Sequence, residues 1–202
     1  MGLPFFGVTP QNEPEFPAPW EACSHTPITE SDFVGYHLGP QLKKDHPNIK
    51  ILGFDHNKDH VVTWVDGLID ATSPSTPYIS GTAYHWYAGG NNRILDGALG
   101  APNMHRLQAE LDRLHADPKH FLLNIESCHC PYTGYGGGSI EVYWARAERY
   151  AHTILSDLAA GSNGWVRQLQ FLPLKLNATN YLTPSLKFAL SKDGVELHVR
   201  KQ

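Results

Sequence analysis

Short apolar runs alternate with longer amphipathic ones along most of this chain. Leu3–Val8, Ile49–Phe54, Tyr78–Tyr87 and Phe121–Ile125 have the length and content of buried strands. Between them lie stretches with apolar residues three and four apart, the period of a helix packed on one face. Thr29–Asp45 is the first of these, with Thr29 or Ser31 as N-cap and a kink expected at Pro40. His60–Ala71 is the second, followed by the loop Ala71–Pro77. Asn103–His115 places Met104, Leu107, Leu111 and Leu114 on one side. Glu141–Ala160 is the longest, with Tyr143, Ala147, Tyr150, Ile154, Leu155 and Leu158 on its inner face and Gly161 closing it. Gly164-Trp165-Val166 begins another strand.

Strand and helix alternating without hairpin turns imply an α/β fold, a parallel sheet with helices outside. The spacing suits the βα units of a barrel. A complete eight-fold barrel takes roughly 250 residues. Four units and the start of a fifth are visible, so the expected architecture is a partial (β/α)8 TIM barrel over residues 1–166. Residues 167–202 differ in pattern and form a short β-rich tail. There Leu186–Val199 alternates apolar and polar residues around Lys192-Asp193-Gly194-Val195, the signature of a hairpin with an Asp-Gly turn.

Composition adds little to this picture. Of 202 residues, 41% are hydrophobic and 18% charged, and the formal charge is -4. No basic stripe points to nucleic acid. Three cysteines (Cys23, Cys128 and Cys130) are too few and too odd for a disulfide framework. No run approaches the ~20 apolar residues of a membrane span, and the start shows no signal peptide. Cys128-His129-Cys130 has no second cluster at zinc spacing, so no metal is expected. Gly134–Gly138 lacks the Gly-Lys-Ser/Thr of a phosphate loop. Asn177-Ala178-Thr179 is a glycosylation sequon, usable only in a secreted chain.

The chemistry concentrates where strands end. Glu13 follows the first run, Asp55 the second, His85 with Trp86 the third and Glu126 the fourth. In a βα barrel this is the rim that carries catalytic groups. Two carboxyl groups converging there suit glycosidic hydrolysis: one protonates the leaving oxygen while the other works from the opposite side of the sugar. If the second is a nucleophile, the pair sits about 5–5.5 Å apart.

Several words around these residues resemble glycoside hydrolase family 30. Thr9-Pro10-Gln11-Asn12-Glu13-Pro14 is similar to its Thr-x-x-Asn-Glu-Pro signature. Ile51–Asn57, Tyr84-His85-Trp86-Tyr87, Leu122–Cys128, Ala147–His152 and Gly164-Trp165-Val166 follow in the family's order. The resemblance spans Leu3 to Val166. It implies Glu13 as general acid/base and Glu126 as nucleophile of a retaining double displacement. It implies that Asn12 binds the sugar's 2-hydroxyl, that Asp55 orients neighbours, and that His85, Trp86, Tyr87 and Trp165 shape the sugar site, with Tyr87 near the nucleophile. No cofactor is called for.

The implied substrate is a β-glucoside, first of all the glycosphingolipid glucosylceramide, reached by peripheral contact with a membrane in a lysosomal or secreted setting. Xylanase and β-1,6-glucanase activities belong to the same family. A fragment that only binds sugar or a partner is the alternative of another class. Three departures from the family pattern suggest a truncated chain. The strands that carry a sugar-binding Asp and Trp ahead of Asn12-Glu13 are absent, and so is the β-sandwich side domain. Arg167-Gln168-Leu169 also stands where the family has Asp-Trp-Asn.

Overall fold

A computed structural model describes residues 5–16, 18–19, 21–88, 93–94, 120–127, 140–159, 161–170, 185–191 and 194–199. The expected helix at Asn103–His115, the Cys128-His129-Cys130 word, the glycine run and the sequon all lie outside the described residues.

β1 is Gly7–Val8, β2 Lys50–Asn57, β3 Ile79–His85, β4 Tyr87–Ala88, β5 Arg93–Ile94 and β6 Phe121–Glu126. β7 is Gly164–Gln170, β8 Ser185–Ser191 and β9 Gly194–Val199. One sheet runs β1-β2-β3-β6-β7-β8-β9, and β4 pairs with β5 beside it. Its first five strands are parallel, whereas β7-β8 and β8-β9 pair antiparallel. The parallel part with its helices is half of a βα barrel. β8 and β9 occupy the expected hairpin positions, and they extend the same sheet rather than standing apart from it.

The first helix starts earlier than its apolar pattern suggests. Thr26, not Thr29 or Ser31, caps α1 (Pro27–Phe33): its hydroxyl accepts from the Thr29 N–H, and Thr29 Oγ1 accepts from the Thr26 N–H. The two satisfy backbone donors reciprocally, and Pro27 sits in the first turn, where its missing N–H costs nothing. The helix then widens into a π turn, Val34–Leu38, before α2 (Gly39–Asp45). Gly39 donates five residues back to the Val34 carbonyl. The wider turn accommodates Pro40, whose ring would collide with an α-helical carbonyl behind it. The turn also lies against the Ala71–Pro77 loop, since a Cβ on Gly35 would run into the Pro74 backbone.

α3 (Val61–Ile69) buries Val61, Trp64, Val65, Leu68 and Ile69 against Ile51, Phe54, Ile79, Tyr84 and Leu122 of the sheet. Burying each such side chain stabilises the fold by about 1.5–3 kcal/mol, so this layer fixes β2, β3 and β6 as one platform. α4 (Ile140–Ala159) covers the neighbouring strands. Its expected inner face needs correcting: Ala147 and Leu155 are exposed, whereas Tyr150, Thr153 and Asp157 are buried. Asp157 is drawn inward by Lys58, its ion-pair partner at 2.8 Å. Among the described residues, no helix is long and apolar enough to cross a membrane.

Candidate active site

The rim at the ends of β1, β2, β3 and β6 brings Glu13, Asp55, His85 and Glu126 together. Two register slips make this possible. Phe54 pairs with Ala83 and His56 with Tyr84, so Asp55 is an extra residue in β2. Tyr84 pairs with Asn124 and His85 with Glu126, so Ile125 is an extra residue in β6. Strand side chains alternate between faces, and one extra residue reverses the facing of every residue beyond it. The slip in β6 sets Glu126 beside His85 rather than on the helix side of the sheet with Asn124. The slip in β2 sends the Phe54 ring to the core, 5.5 Å from Trp64, and leaves Asp55 facing His85.

Both the slip in β2 and the loop after β1 carry unusual backbone. Phe54, Asp55 and Glu13 have φ of 81°, 59° and 49°. Such conformations cost of order 1–3 kcal/mol each for side-chain-bearing residues and persist where surroundings enforce them. The enforcement here is visible. The Glu13 N–H donates to the Asp55 carbonyl at 2.9 Å, and the Phe54 N–H donates to Glu30 Oε1 at 3.0 Å. Glu15 ties the Glu13 loop to α3, accepting from Trp64 Nε1 at 2.8 Å and pairing with His60 Nδ1 at 2.5 Å and His56 Nε2 at 3.4 Å.

His85 is the hub. Its Nε2 lies 2.8 Å from Asp55 Oδ1 and 3.9 Å from Glu126 Oε2, and its Nδ1 lies 3.3 Å from Glu13 Oε1. The last is an ion-pair contact not aligned as a hydrogen bond, since Nδ1 has no hydrogen-bond partner. Thr9 Oγ1 donates to the other oxygen of Asp55 at 2.5 Å. One carboxylate oxygen each from Glu13 and Glu126 and one His85 nitrogen all lie within 4.8 Å of one another. Two carboxylates and an imidazole could also hold a divalent cation, but these atoms are already knit into an acid–base array.

Charge follows from this packing. Burial opposes a charge on His85, yet its contacts with Asp55 and Glu13 and the nearby Glu126 push it up to about 9. The contact with His85 holds the Glu13 carboxyl below its usual range despite partial burial. Burial raises Glu126, and the charges of Glu13 and Asp55 add to the rise. His85 and a hydrogen bond from Tyr87 work against it. At neutral pH the array therefore holds a proton on His85, placed among three carboxyl groups.

The other expected site residues divide into two groups. Tyr87 reaches Glu126 and packs edge-on to His85 at 5.9 Å. Asn12 stands exposed beside Glu13. Trp86 and Trp165 are set apart from the carboxylates. Both are buried behind the sheet, where Trp86 stacks on Tyr150 of α4 at 4.4 Å and Trp165 meets it edge-on. Alternation explains Trp86: the residue after His85 faces the other way. Thr9, Glu15 and Glu30 were not singled out from the sequence. Thr9 lies within the Asn12-Glu13 motif and could have been; Glu30 looks like an ordinary acidic residue in a helix's first turn.

A family model described as the glycosyl hydrolase family 30 TIM-barrel domain matches residues 1–179. Putative glucosylceramidase 3 of Caenorhabditis elegans is 31% identical over 171 residues, covering 81% of this chain and 29% of that protein. Lysosomal acid glucosylceramidase of Mus musculus is 27% identical over 169 residues, covering 81% and 30%. The chain thus spans about a third of the length of these relatives. Among solved structures, SrfJ from Salmonella typhimurium superposes with a TM-score of 0.64 at 23% identity, covering 80% of this chain and 32% of that one. An endo-β1,6-glucanase superposes with a TM-score of 0.58 at 22% identity, covering 78% and 31%.

Proposed function

The chain belongs to glycosyl hydrolase family 30, and from that premise we propose that it works in retaining hydrolysis of a β-glucosyl bond, with Glu126 as nucleophile and Glu13 as acid/base. The observation that carries this reading is the approach of the two carboxylates to within 4.8 Å. Retaining enzymes need about 5–5.5 Å between the groups, and inverting ones about 6.5–9.5 Å to admit a water.

In the first step a Glu126 oxygen bonds to the anomeric carbon, the bond to the leaving oxygen breaks, and Glu13 delivers a proton to that oxygen. In the second, water attacks the same carbon, Glu13 takes its proton, and Glu126 departs. The resting charges run opposite to these roles, because Glu13 is held low and Glu126 is raised. His85 resolves this. It holds a proton at Nδ1, 3.3 Å from Glu13. Once ring and carboxylate align, passing it to Glu13 supplies the acid and removes the Glu13 charge that opposes ionisation of Glu126. Asp55 keeps His85 Nε2 protonated and the ring in place.

The finer reading of the substrate is glucosylceramide, supported by the names of the curated relatives. Such a substrate would bring the protein to a lipid surface. β-1,6-glucan is the second reading, favoured by the endo-β1,6-glucanase among the structural neighbours. The test is incubation with a 2-fluoro-2-deoxy-β-glucoside bearing a good leaving group, followed by peptide mass spectrometry. A covalent sugar on Glu126 is expected. A label on Glu13 would reverse the roles, and a folded chain without label would remove the reading. Release of glucose from glucosylceramide micelles, set against cleavage of β-1,6-glucan, then separates the two substrates.

A further inference from the structure

We propose that Glu30 is a positioning residue for the carboxylate pair: its buried side chain holds the Phe54–Asp55 bulge and so fixes Asp55 against His85. The inference rests on the proposed roles of Glu13 and Glu126 and adds a residue from outside the rim. Glu30 lies in the first turn of α1, where an acidic side chain gains from the helix dipole while remaining in water. This one is instead wholly buried. Burying a carboxyl is costly without compensation, so α1 alone does not account for it.

What Glu30 meets is the slip in β2. Its Oε1 accepts the Phe54 N–H at 3.0 Å, and its Oε2 has no hydrogen-bond partner. Phe54 and Asp55 are the two residues of β2 with positive φ. One hydrogen bond therefore anchors the strained backbone that turns Phe54 into the core and Asp55 toward His85. Burial, reinforced by the charge of Asp55, pushes the Glu30 carboxyl up to about 8. At neutral pH the side chain is thus mainly a neutral acid, close in shape and hydrogen bonding to glutamine.

The test compares Glu30→Gln, Glu30→Asp and Glu30→Leu in the full chain, following the His85 ring nitrogens by NMR through a pH titration. Glutamine keeps the acceptor but lacks the charge Glu30 carries at the His85 midpoint, so it should shift that midpoint least of the three. Aspartate falls one methylene short and leucine has no acceptor. In both the midpoint should drop by about one unit or more as Asp55 turns away, while thermal unfolding stays cooperative. A folded Glu30→Leu or Glu30→Asp chain with an unmoved midpoint, or a Glu30→Gln chain that moves as far as leucine, would overturn the proposal.

If neither shortened variant folds, the native chain decides. Its His85 Nε2–H resonance must change as Glu30, followed by its labelled carboxyl, ionises near pH 8, and a resonance blind to that event overturns the idea. The readout uses no substrate. A chain that hydrolyses no glucoside but passes it sinks the proposed function alone.

Discussion

At the scale of single residues, His85 joins the carboxyl groups of the rim, its Nε2 2.8 Å from Asp55 Oδ1 and its Nδ1 3.3 Å from Glu13 Oε1. Glu13, Asp55, His85 and Glu126 stand at strand ends in the sequence, and a barrel's rim is where strand ends meet. The extra residues Asp55 and Ile125 were not legible, because a slip exists only relative to a partner strand. The facing of Trp86, by contrast, needs no partner strand, since it is the residue next to His85. The resulting cluster makes stability depend on pH in a definite sense. His85 titrates near 6.5 when unfolded and near 9 in the fold. The native state holds the extra proton between those values, so this contribution is full below about 6.5 and is lost as pH rises through 9. Glu30 acts in the same sense between 4.5 and about 8. Denaturant unfolding should therefore show stability falling between pH ~6 and ~9, by up to about 1.4 kcal/mol per pH unit for each group. Glu30→Gln should flatten the slope below pH ~8 and leave the His85 part. Stability that is level or rising across this range would contradict the assignment of both protons.

At the scale of elements, periodicity found the described helices but misjudged one face. The apolar spacing in α4 nominates Leu155, yet the helix turns Thr153 and Asp157 inward. Lys58 causes this from 99 residues earlier in the chain, giving two contacts to Asp157 at 2.8 and 3.1 Å. Its backbone N–H also donates to the His85 carbonyl at 3.2 Å. Tyr84 shares the pocket: its hydroxyl donates to Ser162 Oγ at 2.9 Å, and Lys58 Nζ lies 5.8 Å from its ring. Nothing local to Lys58 or Asp157 announces the pair. It locks the end of β2, just past the bulge, to the helix behind β6. Removing one member leaves a buried charge alone, so Lys58→Met should cost about 3–5 kcal/mol in denaturant unfolding. Lys58→Met combined with Asp157→Leu should recover much of that loss, since buried ion pairs often exchange for apolar pairs at little cost. A double variant as unstable as the single one would mean the ion pair itself, not the avoidance of a lone charge, holds α4.

At the scale of the whole molecule, the turn residues in Lys192-Asp193-Gly194 indicate a hairpin but not where it docks. That depends on a distant sheet edge. Among the described residues, β7 meets β6 through two register pairs, Leu123 with Gly164 and Asn124 with Trp165. It meets β8 through seven, from Gly164 with Ser191 to Gln170 with Ser185. The tail therefore covers the outer edge of β7 along its whole length, and β7 carries Trp165, which packs on Trp86 and Tyr150 behind the site. An uncovered edge of a parallel sheet presents a row of unpaired backbone donors and acceptors, a template for pairing with another chain. Ending the chain after Gln170 should thus shift the species seen in size-exclusion light scattering to larger mass than the parent, and lower the thermal midpoint. Losing even a few of these pairs would already matter on a total stability of about 5–15 kcal/mol. A shortened chain with the parent's mass distribution and thermal midpoint would show that β7 is secured by β6 and α4 alone, and that the tail strands carry no weight in the half barrel.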